Sequence, residues 1–186
     1  MAIHVMVDLE TLGTAPDAHI LSIGAVKFDP QTPDSVRDAF HVGISHEPVA
    51  HLPLRSVSAG TVAWWMQPKQ DLARAAQMEL ERVDFVSAIS GFAEWIRDGD
   101  GPLVVWCKGA AFDFPILHHA FRSLLIEIPW HYRHERCYRT LAAAFKQQTP
   151  WTDEYVRGLP HSAIGDAMTQ ARHLQEIVAN ASLVLG

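Results

Sequence analysis

Four carboxylates and one imidazole carry the chemistry that this sequence offers. Asp8 and Glu10 stand two apart in "MVDLETLGT" (residues 6–14), Asp113 in "VVWCKGAAFDF" (104–114), and His161 and Asp166 in "HSAIGDA" (161–167). A D-x-E pair at a strand end is a weak signal by itself, because many such pairs face solvent. Two further acids change its weight. Four carboxylates in one cleft repel, and some stay protonated unless the charge is compensated. Two divalent cations supply +4 against −4. Oxygen donors favour Mg²⁺ or Mn²⁺ over Zn²⁺, and no Cys/His cluster at zinc spacing competes. Two ions held about 3.5–4 Å apart suit in-line displacement at phosphorus. His161 precedes Asp166 by five residues, and an imidazole with an ordinary pKa of about 6.5 suits a general base for an attacking water.

These residues need elements to bring them together. "IHVMVDLE" alternates, with Ile3, Val5, Val7 and Leu9 on one face and His4, Met6, Asp8 and Glu10 on the other. Both carboxylates therefore point the same way at the end of a first strand. "TLGTAPDA" reads as a turn. "HILSIGAVKFD" (19–29) and "DAFHVGI" (38–44) read as second and third strands of an antiparallel meander. Helical composition enters near Thr61 and continues through "PKQDLARAAQMELERV" (68–83). The next helix begins at an Asp84 N-cap and stops at Gly99 and Gly101. "PLVVWCK" is a continuous apolar run, as a central strand has. "DFPILHHAFRSLL" is helical with Pro115 in its first turn. "ERCYRTLAAAF" begins as strand and turns helical, "TPWTDEYVRGLP" is a loop, and "SAIGDAMTQARHLQEIVANASLV" is a long closing helix. One α/β domain over residues 1–186, on a mixed sheet flanked by helices, is expected. In such sheets sites form outside the ends of central strands.

Composition narrows the function. Of 186 residues, 48% are hydrophobic and 19% charged, which excludes a disordered chain. The net charge of −6 provides no general basic face for nucleic acid, though a local basic rim stays open. Cys107 and Cys137 form no disulfide framework. Without a signal pattern or an apolar run of about 18 residues, no membrane partner is expected and a cytoplasmic setting is.

The three motifs, in this order and spacing, resemble those of the DEDDh (DnaQ-like) 3′–5′ exonucleases, which have a ribonuclease-H-like fold. "VMVDLETLGTAPDAHILSIGAVKFD", the Trp64-Trp65 pair and "CYRTL" are similar to a small branch of phage exonucleases and bacterial exoribonuclease-like proteins. The resemblance covers nearly the whole chain. It implies metal ligands at Asp8, Glu10, Asp113 and Asp166, two Mg²⁺ or Mn²⁺ ions, and His161 as base. It also implies DNA or RNA 3′ ends as partners, with release of nucleoside 5′-monophosphates. His161, rather than a Tyr four before the last Asp, places the chain in the His subclass. Leu12 stands where many relatives carry Thr or Ser, and Lys108 where related chains often carry Asn. A homodimer is expected because many relatives pair.

Around this centre, Thr11 and Leu12 are candidates to meet the terminal nucleotide, with Leu12 packing on the last base. Trp65 is the preferred stacking platform of the tryptophan pair, with Gln67 nearby. Lys108 and Arg139 are candidate phosphate holders, and Phe112 a candidate lining residue of the nucleotide pocket. Two alternatives stand beside this reading. One is a haloacid-dehalogenase-type phosphatase with Asp8 as nucleophile, although Glu10 occupies the place of that motif's second Asp. The other is a catalytically idle nucleic-acid-binding module.

Overall fold

The computed structural model describes residues 2–50 and 52–185. Six strands form one sheet: β1 (Ile3–Thr11), β2 (Ile20–Phe28), β3 (Val36–Ile44), β4 (Arg82–Val83), β5 (Leu103–Cys107) and β6 (Glu135–Cys137). Their order is β4-β3-β2-β1-β5-β6. The expected meander is present, since β1–β2 and β2–β3 pair antiparallel. The β1–β5, β5–β6 and β3–β4 pairs are parallel. β1 is thus a central strand, paired on both edges. Its alternation sorts two buried faces rather than core from solvent.

Among the described residues six α-helices flank the sheet: α1 (Ala59–Trp65), α2 (Asp71–Glu79), α3 (Phe85–Arg97), α4 (Asp113–Ser123), α5 (Tyr138–Ala144) and α6 (Ala163–Asn180). Val5, Val7 and Leu9 share a core with Phe85, Ile89 and Phe92 of α3 and Ile116 and Leu117 of α4. Met6, on the opposite face of β1, packs with Ala167, Ala171 and Leu174 of α6. Asp8 and Glu10 lie on the Met6 face, so they look toward α6.

The helix starts follow local chemistry. Asp84 caps α3 as expected, its carboxylate accepting from the Ser87 N–H at 3.0 Å. Ser58 caps α1 from Oγ to the Thr61 N–H at 3.4 Å. Two boundaries differ from the sequence expectation. Residues 82–83 are strand, not helix end: Gly43 and Ile44 pair with them, and a two-residue strand has too little pattern of its own to be read. α6 ends at Asn180 rather than running through the final apolar residues, and Leu183 turns back onto it through its N–H to the Val178 carbonyl.

Candidate active site

β1 and β5 run parallel, so the ends of both strands open on the same edge of the sheet. Asp8 and Glu10 project there from β1. Chain leaving β5 crosses that edge and enters α4 at its first residue, Asp113. The first turn of α6 brings Asp166 from the opposite face. Asp8, Glu10, Thr11, Lys108, Phe112, Asp113, Arg139, His161, Asp166 and Gln170 line one open cleft.

Close packing holds α6 against this edge. Gly24 of β2 lies directly beside Asp8 in the β1–β2 register. A Cβ there would fall 2.2 Å from the Ala163 carbonyl carbon and the Ile164 nitrogen. On the other side of the same turn, a Cβ on Gly165 would lie 2.9 Å from the carbonyl oxygens of Arg157 and Leu159. The start of α6 is therefore clamped between sheet and loop where two glycines leave room for backbone.

The loop before α6 is itself anchored. Thr149 O accepts from His173 Nε2 at 3.2 Å. A carbonyl can only accept, so His173 Nδ1 accepts the Tyr138 hydroxyl at 2.6 Å. The rings of Tyr155 and Trp151 lie 4.6 and 5.3 Å from that of His173. Thr169 Oγ1 receives the Arg157 N–H at 2.8 Å. This cluster ties residues 149–157 to α6 and delivers His161 to the cleft.

His161 adopts φ +58°, the left-handed region that costs a non-glycine residue about 1–3 kcal/mol. Its N–H donates to Asp166 Oδ2 at 3.1 Å, and its ring meets Trp64 edge-on at 5.0 Å. Donor atoms of Glu10, His161 and Asp166 all lie within 4.8 Å of one another.

Burial and mutual repulsion raise the acids. Burial first, then Asp113, Glu10 and Asp166, lift Asp8 well above the usual carboxylate range, against the Gln170 amide that donates to its Oδ1 at 2.8 Å. Glu10 is pushed up to about 8 by burial and by Asp166 and Asp113. Burial raises Asp113 to about 7, opposed by the Cys107 thiol, the Leu9 N–H and Arg139. Asp166 is raised by burial and restrained by His161 and Lys108. Glu10 is only 7% exposed. A crowded set of carboxylate oxygens fits divalent cations.

The flanking residues divide. Lys108 and Arg139 are exposed at the rim, joined by an Arg139 Nη2 bond to the Lys108 carbonyl at 3.1 Å. Phe112 is half-buried beside Asp113. Thr11 is buried at the edge of the cleft, its hydroxyl turned away from it to donate to Gly13 O at 2.7 Å. Leu12 packs with Leu21, Trp64 and Trp65 and borders a separate apolar cavity. Trp65 is a correction: it is 5% exposed and its indole N–H donates to Thr11 O at 2.9 Å. That ring supports the strand end from below, and Trp64 takes the position beside His161. Gln170 was missed by sequence reasoning. Its signal was available, because it follows Asp166 by four residues and so shares its helix face.

The mixed sheet has the ribonuclease-H-like fold of the DEDDh exonuclease domains, a class that generally uses divalent metal ions. The chain belongs to the family described as the 3′-5′ exoribonuclease Rv2179c-like domain, which it matches over residues 3–178. It is 25% identical over 128 residues to an exodeoxyribonuclease of Enterobacteria phage T4, covering 64% of this chain and 56% of that protein. The chain thus spans little more than half of that curated relative. Among solved structures, the nuclease domain of 3′hExo, a DEDDh family member bound to rAMP, superposes with a TM-score of 0.63 at 12% identity, covering 96% of this chain and 92% of that one. Exonuclease X in complex with 5′ overhanging duplex DNA gives 0.58 at 15% identity, covering 97% and 94%. At these identities the structural likeness speaks for the fold. Family membership sets the phosphatase alternative aside.

Proposed function

We propose that this chain is a single exonuclease domain that removes nucleotides from RNA 3′ ends, releasing nucleoside 5′-monophosphates. The observation that carries the reading is the convergence of Asp8, Glu10, Asp113, Asp166 and His161 in one cleft. The family supports RNA as the substrate; the phage relative makes DNA the comparison to run beside it.

Asp8, Glu10, Asp113 and Asp166 would hold two Mg²⁺ or Mn²⁺ ions. When bound, such ions cancel the carboxylate charge, acidify the attacking water and stabilise the leaving oxygen. The chain's own residues do the rest. His161 accepts the proton of the attacking water at an imidazole nitrogen, with Trp64 limiting how its ring turns. Gln170 fixes the rotamer of Asp8. Lys108 and Arg139 meet backbone phosphate at the rim. Trp64 and Phe112 flank the cleft where the terminal base enters, and the Thr11 backbone meets the sugar. Among the described residues no helix is long and apolar enough to cross a membrane. Pairing into a homodimer is carried by the resemblance alone.

The test is a time course with matched 5′-labelled RNA and DNA oligonucleotides, single-stranded and with 3′ overhangs, in Mg²⁺, Mn²⁺ or EDTA. A metal-dependent ladder that shortens from the 3′ end, faster on RNA, is expected. Faster DNA cleavage would reassign the substrate. Metal-independent binding with no shortening of any strand would leave the idle binding module as the reading.

A further inference from the structure

The cleft is not chemically uniform. Asp8 accepts the Gln170 amide at one oxygen. Glu10 is 7% exposed and lines the cleft. Asp166 gives one oxygen to the His161 N–H and keeps the other free. These two acids are the ones that share a neighbourhood with the imidazole.

We propose that Glu10, His161 and Asp166 form an inhibitory Zn²⁺ site. Separations within 4.8 Å put the three donor atoms no more than about 2.8 Å from a common centre, against metal bonds of about 2.0–2.2 Å. Side-chain rotation closes that difference. Two carboxylates and a neutral imidazole cancel the ion's charge and leave a fourth tetrahedral position for water. An imidazole in the set favours Zn²⁺ over Mg²⁺, which prefers an octahedron of oxygen. The left-handed backbone at His161 and the edge contact with Trp64 hold the ring over the two acids, so the donors are gathered before the ion arrives.

Capture of the imidazole lone pair removes it from proton transfer. Zn²⁺ would therefore arrest the domain even when Mg²⁺ is abundant, and chelation followed by fresh Mg²⁺ would restore it. This consequence rests on the exonuclease reading of the same cleft; the binding itself does not.

Cobalt is the spectroscopic probe for the site. Titration of Co²⁺ into the metal-free protein should give the intense visible bands of a four-coordinate ion, one per chain, and Zn²⁺ should displace them. His161→Ala should abolish those bands and weaken Zn²⁺ binding at least about tenfold, a loss that even outer-shell changes reach. Mn²⁺ binding, followed by electron paramagnetic resonance, should change much less in that variant and shows that the cleft is still folded. A weak six-coordinate cobalt spectrum in the wild type, or Zn²⁺ affinity unchanged by His161→Ala, would overturn the proposal. Oligonucleotide cleavage in Mg²⁺ alone is scored separately. Cobalt bands without cleavage would keep the metal site and remove the exonuclease reading, and cleavage without the bands would do the reverse.

Discussion

At the scale of single residues the cleft crowds like charges that bound cations would offset. Replacing Asp8 or Asp113 by Ala should abolish shortening of a labelled oligonucleotide at saturating Mg²⁺. His161→Ala should retain a residue of activity, with kcat down by about 10²–10⁴, the usual worth of a general base. The same crowding costs stability in the metal-free protein. Glu10 titrates at about 8 in the fold against an ordinary 4.5. The folded state therefore binds its proton more tightly than the unfolded state. The stability this gives is complete below pH 4.5 and is lost as pH rises to about 8. His4 and His19, lowered to about 4 by burial, act in the opposite sense below their ordinary 6.5. The clean readout is therefore the difference between proteins. Metal-free Glu10→Gln should melt above the wild type at pH 8, and the gap should narrow toward pH 5. Thermal melts in EDTA across that range test this; a gap that widens at low pH would contradict it.

At the scale of elements, the question is what holds α6 to the sheet edge. Asp166, Gln170 and the approach of His161 all depend on the place of its first turn. Gly24→Ala inserts a methyl group where backbone already sits. It should lower kcat by about tenfold or more, since a misplacement of about 1 Å can cost about 10²-fold. Overpacking should also cost about 1–3 kcal/mol. Gly91→Ala is the contrasting case. It lies inside α3, and its Cβ would meet only Phe40 Cε2 at 4.0 Å. That change should stabilise the fold by about 0.5–1 kcal/mol and leave activity alone. Chemical denaturation and steady-state rates on both variants separate the two glycines. Equal effects would mean that the α6 contact is not what positions the acids.

At the scale of the whole molecule, a chain of net charge −6 must receive a polyanion. Lys108 and Arg139 are the cations at the rim of the cleft. Substituting either by Ala should raise KM with little change in kcat. Each loss should also flatten the dependence of log K on log salt by about 0.7, the value of one phosphate contact on a single strand. Binding measured over a salt series checks the slope. An unchanged slope would move the strand's path elsewhere.

The sequence by itself determined the parts that follow from local spacing. Alternation along 3–10 put Asp8 and Glu10 on one face, an apolar run made β5 central, and Asp84 announced α3. The family motifs named the five central residues. Tertiary structure alone decided the rest, because the deciding contacts join segments far apart in the chain. The two-residue β4 exists only through its pairing with β3. Trp65, rather than Trp64, was buried by a bond to Thr11, 54 residues away. Gln170 acquired a role only when α6 crossed β1, and Gly24 only when the first turn of α6 lay on it. The division of the acids also came from packing. Gln170 of α6 came to donate to Asp8, and Glu10 came to lie beside His161 and Asp166.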